Sequence, residues 1–233
     1  MKTPYLIPIE PSQGIDEALI FIGGYLSEDN SSPEDNGHWW WNIRRSGWKG
    51  SIYYLWWDAS RHETVLKTAM LPGVGSIAHW EKHEKRAKKV GELFLLPIIE
   101  DLSESKVTLA GFSLGARVIY YALRELKEWP ASSKKINHAI LMAGAIRRGT
   151  DKNWAEIAPQ VHGYLINIFN ENDSVLATLF KTVALNRSAC GTNPIKEYHP
   201  KIININATNL LNTQKHLGTK YAPILPEILS HYL

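Results

Sequence analysis

The stretch KVTLAGFSLGARVIYYALRELKEW, residues 106–129, decides the fold of this chain. It starts with an apolar run typical of a buried strand, and residues 115–129 have the apolar spacing of a helix. Between these segments, Gly111 and Gly115 flank Ser113 in the pattern Gly-x-Ser-x-Gly. The pattern also arises by chance, so the strand before it and the helix after it carry the prediction. Together they predict a nucleophile elbow, with the serine hydroxyl at the edge of a sheet.

The elbow requires small residues for a steric reason. Its turn brings the Cα atoms of Gly111 and Gly115 close to neighbouring backbone, where a side chain would clash. Since a helix begins directly after Ser113, the free N–H groups and the positive dipole end of that helix face the reacting centre. The N–H of Leu114 is therefore a candidate donor of an oxyanion hole.

Apolar runs alternate with segments of helical spacing along the rest of the chain. Strands are predicted at residues 17–23, 51–57, 106–112, 137–143, 162–169 and 201–207. Helices are predicted at residues 38–48, 77–102, 115–129, 174–186 and 220–233. This alternation predicts an α/β fold with a mostly parallel sheet of about six strands flanked by helices. No break in composition indicates a linker, so residues 1–233 are expected to form a single domain, with its core at about residues 17–230. Residues 59–75 fit neither pattern and are interpreted as an excursion over one end of the sheet.

A catalytic serine needs a base to take its proton and an acid to orient that base. After an elbow of this type the acid comes next along the chain and the histidine last. Asp173 follows the fifth predicted strand, with Glu171 as its local competitor, and His216 follows the sixth. Each interval holds about one βα unit, so Ser113, Asp173 and His216 are expected to meet at the carboxyl edge of the sheet.

A second oxyanion donor is expected from the loop after the first strand. Gly23 and Gly24 permit close backbone approach and unusual φ angles there. The N–H of Gly24 or of Tyr25 is the candidate donor, and an ordinary glycine-rich turn is the alternative. This loop holds neither Gly-x-Gly-x-x-Gly nor Gly-x-x-x-x-Gly-Lys, so nucleotide binding is not expected.

Two other groups of residues are interpreted as structural. His79 and His83 have the spacing of half a zinc site, but a third ligand is missing, so a solvated helix face is favoured and no metal is expected. The three adjacent tryptophans at residues 39–41 cannot share one helical face. At least one of them is therefore expected to be exposed or to line a pocket.

Composition narrows the classes of function. The net charge of +3 is too small to indicate nucleic-acid binding. No apolar stretch reaches the roughly 18 to 20 residues that span a bilayer, and the N-terminus lacks the apolar region of a signal peptide. The single cysteine, Cys190, excludes an internal disulfide and favours a reducing compartment, here the cytoplasm. The oligomeric state is left open.

The order of these features resembles the α/β-hydrolase superfamily, in a minimal version without the two leading strands of larger members. A narrower resemblance lies in RAKKVGELF (86–94), VTLAGFSLGARVIYYALRELKE (107–128), LINIFNENDSVLATLFKTVALNRSACGTNPI (165–195) and KHLGTKY (215–221). These segments look like the poorly characterised hydrolase family of the transmembrane and coiled-coil domain proteins. The resemblance implies that Ser113, Asp173 and His216 form a catalytic triad. Eukaryotic members of that family carry membrane spans. Membrane association is not among the properties that this resemblance implies for the present chain.

The expected function is that of a serine hydrolase without a cofactor. It would cleave a carboxylic ester, either a small-molecule or lipid acyl ester or a thioester, through an acyl-enzyme intermediate. The same groups could instead transfer an acyl chain. A non-catalytic binding or scaffold protein is the alternative from another class, since a fold does not imply an activity.

Overall fold

The elements of the fold follow the apolar segments of the sequence. The computed structural model describes residues 1–25, 37–59, 74–129, 135–183 and 188–233. Its strands are β1 (Tyr5–Glu10), β2 (Glu17–Ile22), β3 (Ser51–Trp56), β4 (Lys106–Phe112), β5 (Ile136–Met142), β6 (Leu165–Phe169) and β7 (Ile202–Asn206). Its α-helices are α1 (Gly37–Arg45), α2 (Val74–Val90), α3 (Leu96–Glu100), α4 (Leu114–Glu125), α5 (Trp154–Ile157), α6 (Ser174–Val183), α7 (Thr208–Leu211), α8 (Gly218–Tyr221) and α9 (Leu225–Leu229).

The seven strands of the described residues form one sheet in the order β1-β3-β2-β4-β5-β6-β7. The pairs from β3 to β7 are parallel, and β1 pairs antiparallel with β3. This arrangement confirms the predicted fold class. Because β4 lies between β2 and β5, the loops that follow these three strands meet at one edge of the sheet.

The predicted strand count omits β1, and its sequence YLIPIE explains why. Pro8 cannot donate a hydrogen bond to a ladder, and proline within an apolar run argues against a strand. In the structure β1 is an edge strand with no buried residue, and its register on β3 shifts between Pro8 and Glu10. An edge position tolerates both the proline and the irregularity. The sheet therefore extends beyond the predicted core.

The helix predicted at residues 77–102 is divided into α2 and α3 by a π-helical segment, Gly91–Leu95. At this point α2 approaches α4 closely. A Cβ added to Gly91 would lie 2.3 Å from the carbonyl oxygen of Val118, so a larger residue would push the two helices apart. The contact fixes α2 beside the helix that starts at Ser113.

Apolar side chains cover both faces of the sheet. On one face α2, α3 and α4 pack on the strands, and on the other face α1, α8 and α9 do so. Trp39 and Trp40 of α1 are buried in the second layer, whereas Trp41 keeps 62% of its surface exposed. The expectation that at least one of the three tryptophans is exposed or lines a pocket is thus confirmed by Trp41.

Candidate active site

Ser113 has the backbone conformation of a nucleophile elbow. It lies between β4 and α4 with φ 56° and ψ −114°, a region that residues with side chains rarely occupy. Its N–H donates to the carbonyl oxygen of Met142 at 2.9 Å, and its own carbonyl oxygen accepts the N–H of Ala145 at 3.1 Å. Both partners belong to β5 or the loop after it. The neighbouring strand therefore holds the strained turn in place.

The flanking glycines are required by direct backbone contact. A Cβ on Gly111 would lie 2.6 Å from the carbonyl carbon of Gly115, and a Cβ on Gly115 would lie 2.0 Å from the carbonyl oxygen of Ile22. Both distances are far below a van der Waals contact. The elbow is therefore packed directly against its own backbone and against β2.

Asp173 and His216 are in direct contact. Oδ2 of Asp173 lies 2.5 Å from Nδ1 of His216, and the carboxyl group is fully buried. Oδ1 of Asp173 accepts the N–H of Leu176 at 2.8 Å in the first turn of α6, so the side chain is fixed at both oxygens. Glu171 is exposed, and its backbone N–H donates to Oγ1 of Thr208. The structure thus brings His216 to Asp173 rather than to Glu171.

The imidazole of His216 also lies beside the elbow. Its ring packs on Phe112, the residue before Ser113, with ring centroids 4.9 Å apart. Oγ of Ser113 and Nε2 of His216 are both buried, and neither has a hydrogen-bond partner among the described residues. The hydroxyl of Ser113 and the outer nitrogen of His216 therefore make no hydrogen bond to each other in this structure, and a proton transfer between them needs a closer approach when substrate binds.

The loop after β2 lies directly against Ser113. A Cβ added to Gly24 would lie 2.8 Å from Cβ of Ser113 and 3.0 Å from the carbonyl oxygen of Phe112. Leu114, the first residue of α4, has an N–H without a partner inside its own helix. The candidate donors from Gly24, Tyr25 and Leu114 thus belong to backbone on two sides of the serine.

The expectation of a solvated helix face at His79 and His83 is wrong for His83. This side chain is 1% exposed, and burial lowers its pKa to about 4. His79 lies 2.5 Å from the hydroxyl of Tyr25, a contact that the sequence analysis missed. Among the described residues, no group of three or more His, Cys, Asp or Glu side chains could hold a metal ion.

The thiol of Cys190 is fully buried, and burial raises its pKa to about 12, so it is not a nucleophile at neutral pH. Most of the excursion predicted at residues 59–75, namely residues 60–73, lies outside the described residues.

A comparison with solved structures agrees with this architecture. Naproxen esterase from Bacillus subtilis has a TM-score of 0.52 and 11% identity to this chain, and the match covers 98% of this chain and 87% of that one. At this identity the likeness concerns the fold alone. The parallel sheet with an elbow after β4 is an α/β-hydrolase fold.

The relatives in sequence are longer proteins. An uncharacterised membrane protein of Caenorhabditis elegans is 27% identical over an alignment that covers 94% of this chain and 40% of that protein. The transmembrane and coiled-coil domain-containing protein STS1 of Oryza sativa subsp. japonica is 26% identical over 153 residues, which cover 65% of this chain and 22% of that protein. The chain thus spans less than half the length of either relative. Of the helices described in this chain, none has the length and apolarity to cross a bilayer. The model of the family described as "Protein of unknown function (DUF726)" matches residues 69–232, and the chain belongs to this family.

Proposed function

We propose that the chain is a serine hydrolase that cleaves a carboxylic ester through a triad of Ser113, His216 and Asp173. The observation that carries the proposal is the contact between Asp173 and His216, made beside an elbow whose serine hydroxyl has no hydrogen-bond partner among the described residues. A buried carboxylate on Nδ1 keeps the proton on that nitrogen, so that Nε2 can act as the base.

The reaction has two halves. Oγ of Ser113 attacks the ester carbonyl carbon while Nε2 of His216 takes the hydroxyl proton. The tetrahedral intermediate then collapses, the alcohol leaves with that proton, and the acyl group stays on Ser113. Water, activated by His216, attacks the acyl carbon and releases the acid and free serine. The N–H groups of Leu114 and of Gly24 or Tyr25 stabilise the oxyanion in both halves.

The proposed substrate is an apolar acyl ester or thioester. Val175 and Leu217 each follow within two residues of a member of the proposed triad, and each keeps 43% of its surface exposed. An acyl chain is proposed because sites for small molecules are lined mainly by apolar side chains. The proposed location is the cytoplasm, because a chain with a single cysteine, Cys190, suits a reducing compartment.

Labelling by a fluorophosphonate probe tests the proposal. Wild type should be labelled, Ser113→Ala should not, and Ser230→Ala, which removes an exposed hydroxyl elsewhere, should be labelled like wild type. Rates on p-nitrophenyl esters of increasing chain length then define the acyl group, and an added alcohol acceptor reveals acyl transfer. A folded wild type that is neither labelled nor active on any ester would overturn the proposal.

A further inference from the structure

The loop of Gly23, Gly24 and Tyr25 needs to be held still if it donates to an oxyanion. Two successive glycines give the backbone unusual freedom. An oxyanion hole works because its donors already point to the developing charge and need no rearrangement during the reaction. The described residues fix this loop at both of its ends.

The first anchor is Trp57, which directly follows β3. Its Nε1–H donates to the carbonyl oxygen of Gly23 at 3.1 Å, and its side chain is 1% exposed. A buried indole that can only donate holds this carbonyl in a single direction. The peptide between Gly23 and Gly24 is therefore fixed relative to the sheet.

The second anchor is the side chain of Tyr25. Its hydroxyl lies 2.5 Å from Nδ1 of His79 on α2. The phenol ring packs edge-on against Trp80 and His83, with centroid separations of 5.6 and 5.2 Å. Burial raises the pKa of Tyr25, and burial together with nearby cations lowers the pKa of His79. At neutral pH the phenol therefore donates and the neutral imidazole accepts.

The helix that carries His79 is itself braced at this point. Arg86 can only donate, so its contact of 3.2 Å with Nε2 of His83 makes that nitrogen an acceptor. Nδ1–H of His83 then donates to the carbonyl oxygen of His79 at 2.8 Å. Arg86 is in turn paired with Asp58 at 2.9 Å. A continuous set of contacts thus runs from Tyr25 to Asp58, two residues after β3 ends.

We propose that Tyr25 and His79 are positioning residues that hold the backbone N–H groups of the Gly23–Tyr25 loop in the orientation that receives the oxyanion. The inference rests on the proposed function and adds to it two side chains that do not touch the substrate. They act through the backbone, so their loss affects the transition state more than substrate binding.

The experiment measures kcat and KM of Tyr25→Phe and His79→Leu on a p-nitrophenyl ester. Each variant should lose about tenfold to a hundredfold in kcat, somewhat less than the loss of a whole oxyanion donor, with KM within about threefold of wild type. His79→Asn should recover most of the loss, because its amide oxygen can take the place of Nδ1 as acceptor. Affinity for a trifluoromethyl ketone, which forms a tetrahedral adduct with the serine, should fall in parallel with kcat/KM.

Tyr53→Phe is the matched control, because it removes a phenol that donates to Glu104 away from the elbow. It should keep wild-type kcat. If wild type is labelled by fluorophosphonate but Tyr25→Phe and His79→Leu keep wild-type kcat, this inference is overturned and the proposed function is not. A rise in KM at constant kcat, or an equal loss in Tyr53→Phe, would also overturn it. An unlabelled, inactive wild type would remove both this inference and the proposed function.

Discussion

Replacing Asp173 by asparagine tests the proposed triad at a single atom. Oδ1 of Asp173 accepts the N–H of Leu176, while Oδ2 contacts Nδ1 of His216. An asparagine that keeps its oxygen on the Leu176 N–H turns its NH₂ group toward His216. That group donates to Nδ1 and moves the imidazole proton to Nε2. Since Nε2 must take the proton of Ser113, the substituted protein holds its base in the wrong tautomer.

The expected loss in kcat is about 10⁴-fold, the size known for this change in serine protease triads. It corresponds to about 5 kcal/mol of transition-state stabilisation. The free energy of unfolding should change by less than about 1 kcal/mol, because asparagine caps a helix as well as aspartate does. Asp173→Ala should lose both kcat and stability, because it removes the cap of α6 as well as the contact with His216.

Initial rates on a p-nitrophenyl ester give kcat, and unfolding in urea gives the stability. Glu171→Gln is the matched control, since it neutralises an exposed carboxylate in the same turn, and it should leave kcat unchanged. If Asp173→Asn keeps more than roughly a tenth of wild-type kcat, the proposed role of Asp173 is refuted, because the loss of kcat expected for this change in a triad is far larger. Equal losses in Asp173→Asn and Glu171→Gln would refute the choice between the two acids.

Two further predictions concern stability. Gly115→Ala places a Cβ 2.0 Å from the carbonyl oxygen of Ile22. It should therefore lower the free energy of unfolding by about 3 kcal/mol or prevent folding. A melting temperature close to that of wild type would contradict the close contact. Burial lowers the pKa of His83 from 6.5 to about 4, so between these pH values the unfolded chain binds a proton that the folded chain does not. The contribution of neutral His83 to the free energy of unfolding is fully present above pH 6.5 and should fall by about 3 kcal/mol as the pH drops to 4. In urea unfolding, His83→Gln should lose this part of the dependence of stability on pH. An unchanged dependence in that variant would refute the assignment.

The parts of the fold that depend on local pattern could be predicted from the sequence. The elbow is a contiguous strand, turn and helix, so the positions of Gly111, Ser113 and Gly115 carry their own structural context. Asp173 and His216 could be selected because parallel strands bring successive loops to one edge of the sheet. Their contact distance and the burial of the carboxyl group could not be inferred, because they depend on how α6 and the loop before α8 pack.

The features that were missed depend on contacts between distant parts of the chain. β1 has a proline and no buried residue, and only its pairing with β3 makes it a strand. His83 lies among lysines and glutamates in sequence, yet α2 turns it toward Tyr25 and away from solvent. The bond between Tyr25 and His79 joins a loop and a helix that no local pattern relates.

In the proposed hydrolase, the backbone conformation of Ser113 sets activity against stability. A side chain at φ 56° and ψ −114° costs of order 1–3 kcal/mol, which glycine at the same position does not incur. A copy of the chain that no longer needs activity would become more heat-stable if glycine replaced Ser113. Ser113→Gly should therefore melt at a higher temperature than Ser113→Ala. Thermal stability and the proposed chemistry thus place opposing demands on position 113.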